Sequence, residues 1–528
     1  MASYTVLRPS PFDFHSVIHD HVMAHVEDAN MRPSYEYNDL NISRNEIRLF
    51  SVMPGVEADD IQIYMTSTSL DYPLPYDALS YAWHDDHLFP GDKGQTSEVL
   101  IVYDSATYLQ DSAQVPCLAI GKNLAAYLRA HRKSERKGRL LWVDAICINQ
   151  GSMEERNVQV LRMTNIYQTA QKAIVWLGPT GKESGLAVDF IETLTDRWQR
   201  NDYMWTAADH EWFKKSLTTG EHLEEWRALV DLLGRAWWER LWTVQEIVLA
   251  RDSEVVCGDT TIMWSRFREL YLVIDQNLNT ILGSKEEQGA VGTLQHLNKI
   301  ITRTFLYREQ KQNRTCDLLQ ILNLTRIYVA SDPLDKIYGV LGLAKDAERI
   351  MPKPDYSLSI DRLLQSLVIA MIDSHQNLDF LSLVSLHRLP MSKPSWFPDP
   401  EVDFRNEINS SLIPKASRTI MFNAAQESTP CAQIVDDLKV LMLRGFQLDV
   451  IRDVGSASKN RQVGLPRISS PEITINESDK TAFSAIWRAL VAGPRFSENS
   501  VTYEDETLGE LFAMVCTARD EELTAKEF

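Results

Sequence analysis

Short apolar runs alternate with amphipathic stretches through the middle of this chain. Tyr76–Trp83 (YDALSYAW), Leu140–Ile148 (LLWVDAICI) and Ala173–Gly178 (AIVWLG) are apolar almost throughout. That pattern predicts strands covered on both faces, as in a parallel sheet. Between the first two runs, Asn123–Lys133 predicts a helix with Asn123 as its cap. Between the second and third, Glu154–Ala170 repeats Val160, Met163, Tyr167 and Ala170 at helical spacing. Its acids sit in the first turn, where the helix dipole favours them. Strand, helix, strand, helix, strand is the order of an α/β fold with helices on both faces of a parallel sheet.

The flanks read differently. Residues 1–70 form a leader in which Ile47–Pro54 and Ile61–Thr66 alternate enough to pair as strands around Pro54-Gly55. The α/β domain spans 71–264, with a polar, helical insertion at about 180–234. A Trp-rich apolar helix, Arg240–Ala250, and a strand at EVVCGD complete it. Residues 265–400 read as mainly helical. There SDPLDKIYGVLGLA offers Ser331 or Asp332 as a cap and Pro333 in the first turn, which a packing helix explains without chemistry. DRLLQSLVIAMIDS is a further helix. Residues 401–528 form a mixed C-terminal region with short strands such as LKVLMLRGF and a polar loop at 455–480.

Length and charge narrow the class. A chain of 528 residues is too long for one core. The formal net charge of -19 argues against a broad nucleic-acid or anionic-membrane surface. No apolar run is long enough to span a bilayer, and the first twenty or so residues lack the features of a signal peptide. The 6 cysteines are scattered without a CxxC pair, which fits reduced thiols and a cytoplasmic location rather than a disulfide framework or zinc site. No metal site is expected. His84, Asp85, Asp86 and His87 read as a solvated loop, because no further ligands stand at metal-site spacing. Cys147, inside an apolar strand run, reads as a buried inert thiol rather than a nucleophile.

Two carboxylates stand out against apolar surroundings. Glu246 is the single acid on the Arg240–Ala250 helix, one turn after Trp242. Either it pairs at the helix edge with Arg240 or Arg251, or it is a carboxylate with chemical work to do. Asp144, in the second apolar run, needs a partner for the same reason, whether structural or in a site. Glu154 and Glu155 are explained by the helix dipole, and Arg156 as their partner.

Four segments in order, YDALSYAW, LLWVDAICINQGSMEERNVQVLRMTNIYQTAQKAIVWLG, WWERLWTVQEIVLA and SDPLDKIYGVLGL, resemble the heterokaryon incompatibility (HET) domain of filamentous fungi. The likeness runs from about Tyr76 to Cys257, with weaker echoes in PDYSLS and KPSWFPDP. Proteins of that family are implicated in non-self recognition, in which fusion of incompatible hyphae ends in growth arrest and cell death. The HET domain in turn resembles the Toll/interleukin-1 receptor (TIR) domain. YDALSY is similar to the first TIR strand, LLWVDAICI to the second, with Asp144 where an Asp often stands, and AIVWLG to the third. NQGSMEER takes the place of the loop after the second strand. RLWTVQEI is similar to the TIR pattern of a Trp followed four residues later by Glu.

The resemblance implies a TIR-like parallel sheet and places Glu246 on the carboxylate that NAD-cleaving TIR enzymes use. The implied reaction is cleavage of the nicotinamide–ribose bond, with NAD as substrate and no cofactor. Tyr81, Trp83 or Trp242 would stack on a base. Asn149 to Glu155 would lie beside Trp83 at the carboxyl ends of the strands, and Arg156 would meet the pyrophosphate. The insertion is far longer than in TIR domains. The first loop reads Trp83-His84-Asp85 where an Arg-Gly is usual. The alternative that the resemblance leaves open is a non-catalytic signalling or scaffold module acting by self-association, since fold does not settle function. Either way a second copy or another incompatibility protein is the expected partner.

Overall fold

The computed structural model describes residues 32–277 and 316–381 with short gaps, helical residues within 302–311, and strands at 432–435 and 440–443. The chain divides into two compact units, 1–413 with 434–441, and 414–433 with 442–528. Everything that follows concerns the first, apart from the pairing of Ala432–Val435 (β10) with Val440–Leu443 (β11) in a two-stranded sheet. KPSWFPDP and the 455–480 loop lie outside the described residues.

The core is a nine-stranded mixed sheet, in the order β5-β4-β2-β1-β6-β3-β7-β8-β9. Its strands are Glu46–Val52 (β1), Ile61–Ser69 (β2), Tyr76–Tyr81 (β3), Glu98–Tyr103 (β4), Cys117–Ile120 (β5), Leu140–Trp142 (β6), Lys172–Trp176 (β7), Ser253–Cys257 (β8) and Thr260–Met263 (β9). The four central strands, β6-β3-β7-β8, are parallel. β3 is buried at every position, which is why YDALSY has no polar face to show to water. Numbered by their order in the chain, these four run 2-1-3-4. That is the order of a doubly wound sheet whose switch point lies between the first and third strands, here β3 and β7. The expected sheet of YDALSY, LLWVDAICI and AIVWLG is therefore present at the centre.

β1 and β2 pair antiparallel, as the alternation predicted, and β1 pairs antiparallel with β6. The 32–70 strands are thus continuous with the central sheet.

Twelve helices are described around the sheet and beyond it: Lys122–Lys133 (α1), Asp144–Cys147 (α2), Met153–Thr169 (α3), Ser184–Arg200 (α4), Ala207–Thr218 (α5), Leu223–Leu233 (α6), Trp242–Leu249 (α7), Trp264–Gln276 (α8), Leu318–Thr325 (α9), Asp335–Tyr338 (α10), Ala347–Ile350 (α11) and Ile360–His375 (α12). The insertion is α4, α5 and α6, packed through an aromatic cluster of Phe190, Trp205, Phe213 and Trp226. No described helix is long and apolar enough to cross a membrane.

Three local expectations are corrected. LLWVDAICI is not one long strand: β6 ends at Trp142, and Asp144–Cys147 is a turn of helix. An apolar run of this length is ambiguous between strand and buried helix by pattern alone. Asn123 is not the cap of α1. Gly121 holds that position, and Asn123 lies inside the first turn. There its amide donates to the Ala82 carbonyl (2.7 Å) and its oxygen accepts from the Trp176 indole (2.9 Å), tying α1 to the ends of β3 and β7. In SDPLDKIYG the helix starts only at Asp335. Asp332 accepts from the Leu334 amide two residues on (3.0 Å), a local turn that precedes the helix.

Candidate functional site

The carboxyl ends of β3 and β6 gather a group of polar side chains beneath α7. The helix packs on β3, β7 and α3. Its Glu246 is only 4% exposed. Burial pushes its carboxyl from the usual 4.5 up to about 7; Asp144 adds to the rise, while Arg240 and hydrogen bonds from Ser80 and Tyr167 oppose it. Ser80 in turn accepts from the Trp237 indole at 2.8 Å. The Tyr167 hydroxyl reaches the Leu79 carbonyl at 2.9 Å as well as Glu246. One hydroxyl proton cannot serve both acceptors. A protonated Glu246 removes the conflict by donating to Tyr167, which accords with the raised carboxyl. Glu246 Oε2 is buried without a hydrogen-bond partner, an exception of the kind that marks strain or function.

Asp144, at the start of α2, is half-buried, as is Arg240. Burial raises its carboxyl, opposed first by the charge of Arg240 and then by hydrogen bonds from the Trp83 indole and the Ala145 amide. Trp83 Nε1 donates to Asp144 Oδ2 at 2.9 Å, and the Ala145 amide to Oδ1 at 2.7 Å. Arg240 donates to the Tyr81 carbonyl. Burial raises the Tyr81 phenol well above its usual value, helped by the charge of Asp144. Glu246, Asp144, Tyr81 and Trp83 are therefore brought together, with Arg240, Ser80 and Tyr167 between them. Arg251, the other partner considered for Glu246, is exposed.

Trp242 and Arg156 belong to a second group, around Asp335. The Asp335 carboxyl is raised by burial and bonded by the Trp242 indole and by Tyr356, whose hydroxyl donates to Oδ1 at 2.7 Å. The Arg156 guanidinium lies over the Tyr356 ring, 5.0 Å from its centre, and its charge favours the Asp335 carboxylate.

Asn149 and Glu155 form a third group, with Arg48 of β1. Arg48 grips Glu155 with both ends of its fork, at 2.5 Å and 3.1 Å. Glu155 also accepts from the Asn149 amide at 2.8 Å. Its own amide donates to Ser152, which caps α3. The eight side chains singled out in the sequence thus fall into three clusters.

Sequence reasoning missed Ser80, Tyr167 and Asp335 as members. Ser80 left one signal, a hydroxyl inside a largely apolar strand. Asp335 was hidden behind the cap explanation of its own segment.

Among the described residues no three His, Cys, Asp or Glu side chains are placed to hold a metal ion. Asp85 accepts from the Leu88 amide (3.0 Å) and the Ala236 amide (3.1 Å), which is a structural use of that carboxylate. His84, Asp86 and His87 lie outside the described residues. Cys147 is buried, and burial raises its thiol to about 12, so it carries no thiolate near neutrality.

Residues 76–246 match the family described as heterokaryon incompatibility protein (HET). The chain is also 25% identical, over 479 residues, to the heterokaryon incompatibility protein 6, OR allele, of Neurospora crassa; the alignment covers 81% of this chain and 67% of that relative. No solved structure matches the chain.

Proposed function

From the premise that residues 76–246 form a HET domain, we propose that this chain acts in heterokaryon incompatibility by cleaving NAD at its nicotinamide–ribose bond. The observation that carries this is Glu246. It is a buried carboxylate that holds its proton to higher pH than usual and has an unpartnered oxygen, at the carboxyl ends of the central parallel strands. Ligands of doubly wound sheets bind at that end, beside the switch point. The TIR resemblance puts the same residue on the NAD-cleaving carboxylate.

The chemistry asks little of the protein. The C1′–N bond breaks with its electron pair passing to the pyridinium nitrogen, so nicotinamide leaves neutral. Water adds at C1′ and releases a proton, giving ADP-ribose. Positive charge develops on the ribose meanwhile, and a carboxylate beside it stabilises that charge in a site closed to water. A cation brought next to Glu246 also favours its ionised form, so substrate opposes the rise in proton affinity that burial causes. Asp144 is the second carboxylate in reach, placed to bond ribose hydroxyls once the Trp83 indole moves away. Trp83, the exposed aromatic of the group, would supply a surface for a base, while Trp242 and Arg156 around Asp335, and Asn149 and Glu155 beside Arg48, lie in the two neighbouring clusters.

The enclosure of Glu246 also favours a second reading, a module that signals only by assembling with a copy of itself or another incompatibility protein. Purified full-length protein incubated with NAD separates the two when nicotinamide is followed by chromatography. Nicotinamide release that rises steeply with protein concentration supports a NAD-cleaving assembly. NAD left intact by a protein that self-associates sinks the enzymatic reading.

A further inference from the structure

The turn that launches the Glu246 helix is gripped by residues outside the matched segment. Arg303 is fully buried, in a helical turn at 302–304. Its guanidinium lies 4.8 Å from the Trp237 ring centre, 5.6 Å from Trp238 and 4.6 Å from Tyr328. Nη2 donates to Thr243 Oγ1 at 2.7 Å and to the Trp238 carbonyl at 3.2 Å. The Thr243 hydroxyl in turn donates a hydrogen bond to the Arg240 carbonyl at 2.7 Å. From the same side, Val329 pairs with the backbone on both flanks of Arg240: the Leu241 amide donates to Val329 (2.9 Å), and the Val329 amide to Glu239 (2.7 Å). Residues 238–243 therefore have their geometry set by 303 and 329.

Glu246 stands one turn beyond Thr243 on α7, so a shift of that first turn moves its carboxylate. The Arg303 guanidinium is planar and rigid. It stacks on three aromatic rings while Nη2 holds two acceptors at once, and a compact lysine ammonium lacks the planar face for that stacking. The side chains that act on Glu246 come from five places: Asp144 on α2, Arg240 before α7, Ser80 and the Tyr81 phenol on β3, the Tyr167 phenol on α3, and Arg303 itself.

We propose that Arg303 is a positioning residue for Glu246, joining the turn at Trp238 to the first turn of α7 so that the carboxylate is held at the ends of β3 and β6. This rests on the reading of Glu246 as the working carboxylate. The region after residue 246 is then part of the machinery of the domain.

The test uses the full chain with Arg303→Lys, which keeps the charge and loses the planar guanidinium. Amide hydrogen exchange is read on α7 and on β3 and β7, alongside NAD cleavage across pH. The expected result is faster exchange confined to α7 and its preceding turn. With it goes a fall in kcat of up to about 100-fold, the scale of a group misplaced by ~1 Å, with KM little changed. Since Lys preserves a positive charge, the pH midpoint of kcat should stay near that of the parent. Unchanged α7 exchange together with unchanged kcat overturns the proposal. So does general loosening of the sheet with normal kcat per folded molecule, which is a merely structural role. If Arg303→Lys does not fold, Thr243→Val removes only the bridging hydroxyl and is held to the same two outcomes. If the parent protein releases no nicotinamide, the function reading fails on its own, and the exchange pattern still decides whether Arg303 holds α7.

Discussion

Replacing Glu246 by Gln removes a charge, not a shape, and the structure sets the size of the effect. Burial takes the carboxyl from 4.5 to about 7. At about 1.4 kcal/mol per unit, ionised Glu246 costs the folded state about 3 kcal/mol relative to the unfolded chain. In the unfolded chain the proton leaves near 4.5; in the folded protein it is held until about 7. Over that window the folded state binds more protons, so this residue's contribution to stability is full below about pH 4.5, is lost as pH rises to about 7, and is level above. Glutamine has no proton to lose. The stability of Glu246→Gln relative to the parent should therefore improve by about 3 kcal/mol between about pH 4.5 and pH 8. For a cooperative unit of this size that is about 4 °C in melting temperature, at roughly 1–2 °C per kcal/mol. Melting both proteins at the two pH values measures it. On the same preparations, nicotinamide release by the variant should fall by about two to three orders of magnitude, or ~3–4 kcal/mol of transition-state stabilisation. A melting difference that does not change with pH would refute the buried-charge reasoning. A stable variant that still cleaves NAD at the parental rate would refute the catalytic role.

Since Asp144 helps raise the Glu246 carboxyl, Asp144→Asn should let Glu246 ionise at lower pH; the acid limb of the pH–rate profile, expected near 7 in the parent, should move down, and a limb that stays put or rises speaks against coupling of the two. Arg48→Met leaves Glu155 without its fork (2.5 and 3.1 Å), and urea unfolding should show a loss of about 3–5 kcal/mol, as for a broken buried pair; a loss under about 1 kcal/mol would show the pair to be solvent-screened. Gly342→Ala would put a methyl group 2.0 Å from Thr164 Oγ1 and 3.2 Å from Gln245 Oε1, so a loss of about 1–3 kcal/mol is expected, partly recovered in the double variant with Thr164→Ala.

The central sheet was legible because its strands carry their burial in their composition. AIVWLG is apolar on both faces, and YDALSY is nearly so, with Asp77 and Ser80 as its polar positions; only a strand covered on both sides tolerates that. LLWVDAICI was half misread because Asp144–Cys147 is just as apolar when it turns into helix. Glu246 and Asp144 were legible as acids among apolar neighbours. The remaining partners were not. Tyr167 looks like one more apolar position of α3, and only its hydroxyl reaches Leu79 and Glu246. Arg303 reaches α7 from far along the chain, and nothing around it in sequence marks it. Glu155 is an acid in the first turn of α3 whose dipole explanation holds, yet its main partner, Arg48, lies on a strand near the beginning of the described chain.

The way the sheet is extended on both sides separates what is shared between proteins from what folds. The matched residues, 76–246, contain β3, β6 and β7 but neither β1, which precedes them, nor β8, which follows. A piece cut at those limits would turn β6 and β7 from interior strands into edges. Leu141 and Phe50 face each other across one cut, Val175 and Val255 across the other. Bare apolar edges of that kind recruit other chains rather than water. Any chain that carries this segment therefore needs a strand laid along each of those two edges, so the stable unit is wider than the segment that matches the family.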